Sequence, residues 1–537
     1  MRGSRWSRIV VAAEGLGGTS APAGATSVPG RFRALARRLA QKRLIVAAAC
    51  APPATYLLYV WHYAINAPFQ DDWSLPALVG AAFNGRLTWS VLWKQHSEAR
   101  LVVPNLFFVA FGYINHLNLK AVVFFNACIF VAAFFLMLMM FRSYTRRPLT
   151  FMRVLALGLV WFSLMGAENA LWAFQLAWYL VLLFLLAMIY FLFVAPRNRK
   201  LALGLAVLAA VGASLSMVQG FLLWPVGLVC LLWVWRAEHK RYGEAAIWIA
   251  IGLFVTLLYA RGYRSGGGCV PVGSDCSIRA NAGHVSLLLK FFLTLVADAV
   301  PVRVFFPHLA VIQLHFVWVQ LLGAALCVAA AYVVVRSFRE RRDVTRVPLP
   351  MLLILFAVLF DLAIALGRAR EGVSATLEGR FTMPSVLLLV GLVAYAGAHL
   401  PRPRALWRRR DSRGYRAAAA SVLLGVLVLG QVAVGTIYGL RVARVERSFR
   451  TRAARTVVNF DLIRLSERGC YASVYVWNDV YSAPVALALV RVSGLVMLHN
   501  HLILYIPSTF REFRAQGLPP GGLARACLAR RRSSVSN

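Results

Sequence analysis

Residues 66–104 read NAPFQDDWSLPALVGAAFNGRLTWSVLWKQHSEARLVVP. An apolar run, residues 44–63, precedes this stretch, and a long series of such runs follows it. Between them the loop gathers Asp71, Asp72, His96, Glu98 and Arg100, in a chain with 20 Asp and Glu against 58 Lys and Arg. A carboxylate beside a bilayer is costly unless it is paired, solvated or used, so an adjacent pair marks a candidate site. Such a pair can act as general base or hold a divalent metal, and His96 and Arg100 can orient it or bind a phosphate. The plainer reading is a helix-capping aspartate in a solvated loop with surface ion pairs. Distant parts of the chain bear on the choice.

At 537 residues, 60% of them hydrophobic, with a mean hydropathy of +0.67, the chain is no soluble globular protein. Its apolar runs recur at about 17–25 residues, each long enough to cross the roughly 30 Å hydrocarbon core as a helix. The fold class expected is an all-α polytopic membrane protein. A net charge of +38 raises nucleic acid as a partner. The arginines, however, cluster between apolar runs, where they hold loops on the cytoplasmic side against anionic membrane lipids. No nucleic-acid-binding signature accompanies them, and that partner is excluded.

Residues 1–43 read as a basic cytoplasmic N-terminus, Gly/Ala/Ser/Thr-rich at first and without the apolar core of a signal peptide. The span 44–63 then runs outward and leaves residues 65–118 as a large first extracytoplasmic loop. Residues 101–117 are apolar too. Making them a span would place the basic RSYTRR loop outside, so they read as a helix at the interface. Alternation of basic loops continues through residues 44–440 as a transmembrane domain of about eleven spans. It includes segments 201–217 and 221–235, and a long outer loop, 261–308, with an interfacial helix near 284–299. Residues 441–537 read as a small extracytoplasmic domain, with short strands at 474–477 and 502–506. Cys269 and Cys276, seven residues apart in GGGCVPVGSDC, are expected to pair in this oxidising compartment, and Cys470 with Cys527 less firmly.

Placed on this topology, the remaining polar motifs fall on the outer side. In GAENALWAFQLAW (166–178), a continuous helix would set Glu168, Trp172 and Gln175 on one face. GRAREGVSATLEGRFTMP (367–384) carries Arg368, Arg370 and Arg380, an unusual richness for an outer loop. Arginine forks suit bidentate phosphate binding, although Glu371 and Glu378 could simply pair with them. One external site is expected, with carboxylates from the first loop and arginine from the late one. Asp71 and Asp72 are expected to diverge. Asp72 caps the helix opened by Trp73-Ser74-Leu75-Pro76, and Asp71 faces the site.

The pattern resembles the GT-C superfamily of membrane glycosyltransferases. More closely, it resembles a group of bacterial membrane proteins with GT-C-like topology. The likeness rests on Asp71-Asp72-Trp73, on His96-Ser97-Glu98-Ala99-Arg100, on Glu168 to Gln175, on Gly220 to Pro225, and on Gly379-Arg380-Phe381 where that group has Ser-Arg-Tyr. A second histidine of the group is replaced here by Ala99, which weakens any histidine-dependent metal site. The resemblance implies a GT-C-like fold and a multi-pass protein of the bacterial inner membrane, N-terminus cytoplasmic and C-terminus outside. It implies transfer of a sugar from a polyprenyl-phosphate-linked donor to an envelope glycan, lipid or protein acceptor. Asp71 or Asp72 would be catalytic, or would hold Mg or Mn if a metal is used. His96, Glu98, Arg100, Glu168, Gln175, Arg368 and Arg380 would bind substrate and phosphate. The alternative is a transporter or flippase for a lipid-linked or anionic solute.

Overall fold

A computed structural model of the chain describes residues 28–145, 148–194, 198–235, 242–264, 277–300, 316–339, 347–377, 379–399, 412–476 and 482–520. The chain divides into two compact units, Met1–Ala47 and Ala48–Asn537. In the first, the described residues belong to helix α1 (Val28–Tyr63), which continues into the second.

The described residues are predominantly helical, with one short hairpin, and the protein is multi-pass. Among the described residues, nine helices are long and apolar enough to cross a membrane, α1 through its Ala40–Tyr63 part among them. In chain order the further helices used below are α2 (Leu75–Phe83), α3 (Val102–Asn115), α4 (Leu119–Thr145) and α5 (Phe151–Trp161). There follow α6 (Leu176–Phe193), α7 (Arg199–Ser214), α8 (Leu223–Trp235), α9 (Tyr242–Ala260) and α10 (Val285–Ala297). The last are α11 (Phe316–Arg339), α12 (Leu349–Arg368), α13 (Thr382–His399), α14 (Ser412–Val458), α15 (Ala483–His499) and α16 (Pro507–Ala515). The two helices expected at the interface form as separate short elements, α3 and α10. Two of the eleven expected spans come out short: α7 has 16 residues and α8 has 13, against the roughly 20 that a straight crossing needs.

Lipid tails give no hydrophobic drive between helices, so the bundle is held by close packing of small residues. α12 and α13 are the most buried spans. They approach at Gly391, where a Cβ would fall 2.6 Å from Ile354 Cγ1. α8 and α9 interlock reciprocally, Trp248 filling the space over Gly227 and Trp224 the space over Gly252. The Trp248 indole N–H also donates to the Trp224 carbonyl at 2.9 Å.

One expectation about the chain's second half is corrected. The segments read as strands are helical: Ala472–Val476 is a π turn continuing a short helix, and Ile503–Tyr505 is a 3-10 turn. Val474 and Val476 have strand propensity, but propensity yields to context, and the chain here satisfies its own backbone groups. α14 runs through residue 440, with 47 residues in all, about 70 Å at ~1.5 Å per residue. The tail then returns to the first loop: α15 packs on α2, and the Ser493 hydroxyl donates to the Trp73 carbonyl at 3.0 Å. The Asn66 side chain joins three segments, donating to Ile503 O (2.9 Å) and Thr509 Oγ1 (3.1 Å) and accepting from Leu119 N (2.8 Å).

Cys269, Cys276 and Cys527 lie outside the described residues. Cys470 is disulfide-bonded.

Candidate functional site

The DDW element forms a 3-10 turn, Gln70–Ser74. Successive residues of such a turn point about 120° apart, which separates the two aspartates. Asp72 is turned inward, 1% exposed. Its Oδ2 accepts from Phe69 N–H at 3.1 Å, capping the turn from within. Its Oδ1 accepts from Phe174 N–H at 3.0 Å, tying the first loop to the FQ element 102 residues on. Ser74, not Asp72, is the N-cap of α2, so the cap expected of Asp72 is made one turn earlier. Burial pushes the Asp72 carboxyl up to about 7, opposed by the nearby Arg450 charge and the two N–H bonds.

Arg450 comes from α14 and is 3% exposed. It donates to Glu446 Oε2 at 2.8 Å and to the Leu171 carbonyl, and its guanidinium lies 4.5 Å from the centre of the Phe69 ring. Sequence reading assigned this residue to a separate tail and missed it. The signal was present in the i, i+4 pairing of Glu446 with Arg450 on an otherwise basic stretch.

Asp71 is turned the other way, with 39% of its side chain exposed. His96 Nε2 stands 3.4 Å from Asp71 Oδ1, within ion-pair reach, and makes no hydrogen bond of its own. The spacing of the His-Ser-Glu-Ala-Arg element is explained by a two-stranded hairpin. β1 (Gln95–His96) and β2 (Ala99–Arg100) pair antiparallel, with His96 opposite Ala99 and Ser97 at φ 49° in the turn. The hairpin is clamped to the end of α9. Tyr259 Oη accepts from Arg100 N–H at 2.9 Å, and the Tyr263 hydroxyl donates to the Glu98 carbonyl at 3.1 Å. The Arg100 guanidinium is oriented by this clamp onto backbone carbonyls. It donates to the carbonyls of Trp93 (2.7 Å) and Arg261 (2.9 Å) and stacks near the Trp93 ring at 4.9 Å.

Glu98 reaches across to the late loop, its Oε1 2.7 Å from Arg368 Nη2. Arg368 also pairs with Glu371 at 3.3 Å. The other arginine expected to meet phosphate, Arg380, lies beside the GAEN element. The Asn169 amide donates to the Arg380 carbonyl at 2.8 Å, and a Cβ on Gly379 would fall 2.5 Å from Glu168 Oε2. The motif that was to display Glu168, Trp172 and Gln175 on one helix face is broken: Trp172 is extended, between a short helix at Ala167–Leu171 and a 3-10 turn at Ala173–Gln175. Trp172 is buried against Phe69, ring centres 5.4 Å apart. Gln175 is buried too, and its Oε1 has no hydrogen-bond partner. Glu378 lies outside the described residues.

Three segments distant in sequence thus meet at one end of the helices, through Asp72 with Phe174, Glu98 with Arg368, and Glu168 with Gly379. Just inside them, Gly166, Asn169, Tyr56 and Tyr179 line a cavity of about 30 Å³, room for one or two waters rather than a lipid tail. Among the described residues, no group of three or more His, Cys, Asp or Glu is placed to hold a metal ion. Asp72 directs both oxygens at backbone N–H groups, and Asp71 has one imidazole beside it. This donor set does not fit a divalent cation. The chain matches no protein-family model, no curated protein and no solved structure.

Proposed function

We propose that the protein is a GT-C-like glycosyltransferase of the bacterial inner membrane. It would move a sugar from a polyprenyl-phosphate-linked donor to an acceptor at the outer face. The observation that carries this reading is the position of Asp71. It is a half-exposed carboxylate beside His96. It is next in sequence to Asp72, which bonds the FQ element, and in the same loop as Glu98, which pairs with Arg368 of the late loop. Asp71 accepts the proton of the acceptor hydroxyl as that oxygen bonds to the anomeric carbon. The bond from that carbon to the phosphate oxygen breaks, and its electron pair leaves on the phosphate. Positive charge stabilises the departing phosphate. Arg368 and Arg380, both from the late loop, are the groups that would supply it. His96 holds the Asp71 carboxylate in place, while Asp72 and Arg450 fix the turn that presents it. No step uses a metal. Eleven spans and an extracytoplasmic C-terminus accompany this reading, and the disulfide at Cys470 supports an oxidising compartment for the tail.

The test is transfer from a radiolabelled polyprenyl-phosphate sugar by the reconstituted protein. Asp71→Asn should abolish it while Asp72→Asn retains most of it. Full activity in the double variant sinks the mechanism.

A second reading, a transporter, draws on Asp361. This buried carboxylate within α12 accepts from the Ser385 hydroxyl at 3.1 Å, and ionisable groups inside membranes often mark transport paths. Asp361→Asn should then stop uptake and leave sugar transfer untouched.

A further inference from the structure

The second half of α14 carries arginines on two sides that are used differently. One side, with Ala443, Arg450, Ala453, Ala454 and Val457, is buried. The other borders a groove of about 640 Å³ against the end of α1, lined by Arg444, Arg447, Arg452 and Arg455 with Ser448 and Thr451 between them. Among the described residues, no carboxylate lines it.

The arginines are held without being neutralised. Arg455 donates to the carbonyls of Gln516 (2.7 Å), Gly517 (2.8 Å) and Leu518 (2.6 Å). Arg447 donates to the His62 carbonyl at 2.8 Å. Arg452 donates to Ser448 Oγ at 2.8 Å, which leaves the serine's own hydrogen to point elsewhere. Arg444 is exposed and has no partner among the described residues. Carbonyls and hydroxyls orient a guanidinium but leave its charge intact. Like charges one to three turns apart on a helix repel unless an anion lies between them. The spacing, Arg444, Arg447 and Ser448, Thr451 and Arg452, Arg455, keeps all six groups along one side of the helix. The volume is that of a small-ligand site. Four planar forks and two hydroxyls bordering one groove suit a multiply charged oxyanion better than a single carboxylate.

We propose that this groove binds a phosphate-bearing anion, carried by a membrane lipid or free in solution. The site lies on the other flank of α14 from Arg450 and Asp72. The inference goes beyond the transferase reading and does not depend on it.

Phosphorus-31 NMR titration of the purified full-length protein in maltoside micelles tests this, with phosphatidic acid and inorganic pyrophosphate as separate probes and phosphatidylcholine as control. Wild type should bind one or both phosphate probes and discriminate against phosphatidylcholine. Response to phosphatidic acid alone assigns a lipid-borne phosphate; response to both assigns phosphate whatever its carrier. Arg444→Ala with Arg452→Ala should weaken binding by about tenfold or more, because charge-assisted bonds are about twice as strong as neutral ones. Arg444→Lys with Arg452→Lys keeps the charge but loses the fork, and should weaken binding by a smaller factor; it also serves if the alanine variant fails to fold. Binding of neither phosphate probe overturns the proposal, as does an affinity that both double variants leave unchanged.

Discussion

Asp71 and Asp72 share a peptide bond and almost none of their surroundings. One side of the turn Gln70–Ser74 is half-open and holds Asp71 beside His96. The other is closed, and there Asp72 meets Phe69, Phe174 and the field of Arg450. The turn rotates successive side chains apart, and what packs against each side sets its job. The open carboxylate can take a proton from something that arrives. The closed one is spent on two backbone N–H groups. An adjacent acidic pair is therefore one chemical group and one fastener, not a dyad.

The sharpest break between the two sides is expected in turnover. On the proposed mechanism Asp71→Asn removes the base and should lower sugar transfer by about 10²–10⁴-fold, with thermal stability unchanged. Comparable losses in Asp71→Asn and Asp72→Asn would erase the distinction.

The next largest effect is structural and belongs to the closed side. Arg450→Ala takes away the buried cation that serves Glu446 directly and Asp72 at longer range. Breaking a buried pair from one side costs about 3–5 kcal/mol. Arg450→Ala should show this as a loss of melting temperature, and Glu446→Gln with Arg450→Met should recover part of it.

Asp72 itself should make stability depend on pH. Its folded-state value, about 7, lies above the ordinary 3.8, so the folded protein holds this proton more tightly than the unfolded chain does. The contribution is fully present below about pH 4 and is lost as pH rises through about 7. Thermal unfolding between pH 4 and 8 should show this slope in wild type and a flatter profile in Asp72→Asn. A slope unchanged by the substitution would place its origin elsewhere.

What sequence could read was whatever a single helix or turn encodes. The apolar run at residues 121–141 announced α4, and the apolar runs at 101–117 and 284–299 announced the short helices α3 and α10. Composition alone excluded a soluble fold. The acidic pair and the hairpin element were found as residues because acidic groups are rare in this chain, and the late arginines because they cluster in a loop read as external. Their partners were not legible. Nothing local says that Phe174 N–H bonds Asp72, that Arg100 closes on backbone carbonyls, or that Trp172 breaks a helix to sit on Phe69. These depend on packing between segments tens to hundreds of residues apart. The tail misled for a related reason: short β-branched runs look alike in strands and in buried helical turns.

The smallest expected effect lies at the seam between the open side and the late loop. Glu98 and Arg368 meet at 2.7 Å with 25% and 15% of their side chains exposed. Removing the carboxylate leaves Arg368 its second partner, Glu371. Glu98→Gln also keeps the backbone carbonyl that accepts from Tyr263 and so spares the hairpin. A partly exposed pair of this kind contributes about 0.2–1 kcal/mol. Arg368→Ala should cost more, because it deprives Glu98 and the buried Glu371 together. A double-mutant cycle on Glu98 and Arg368, read by thermal unfolding, isolates the pair. A coupling energy near zero would mean that this ion pair does not hold the two loops together. The geometry instead gives the ion pair a share in setting the distance between Asp71 and the late arginine loop, so Glu98→Gln should raise KM for the lipid-linked donor more than it lowers kcat.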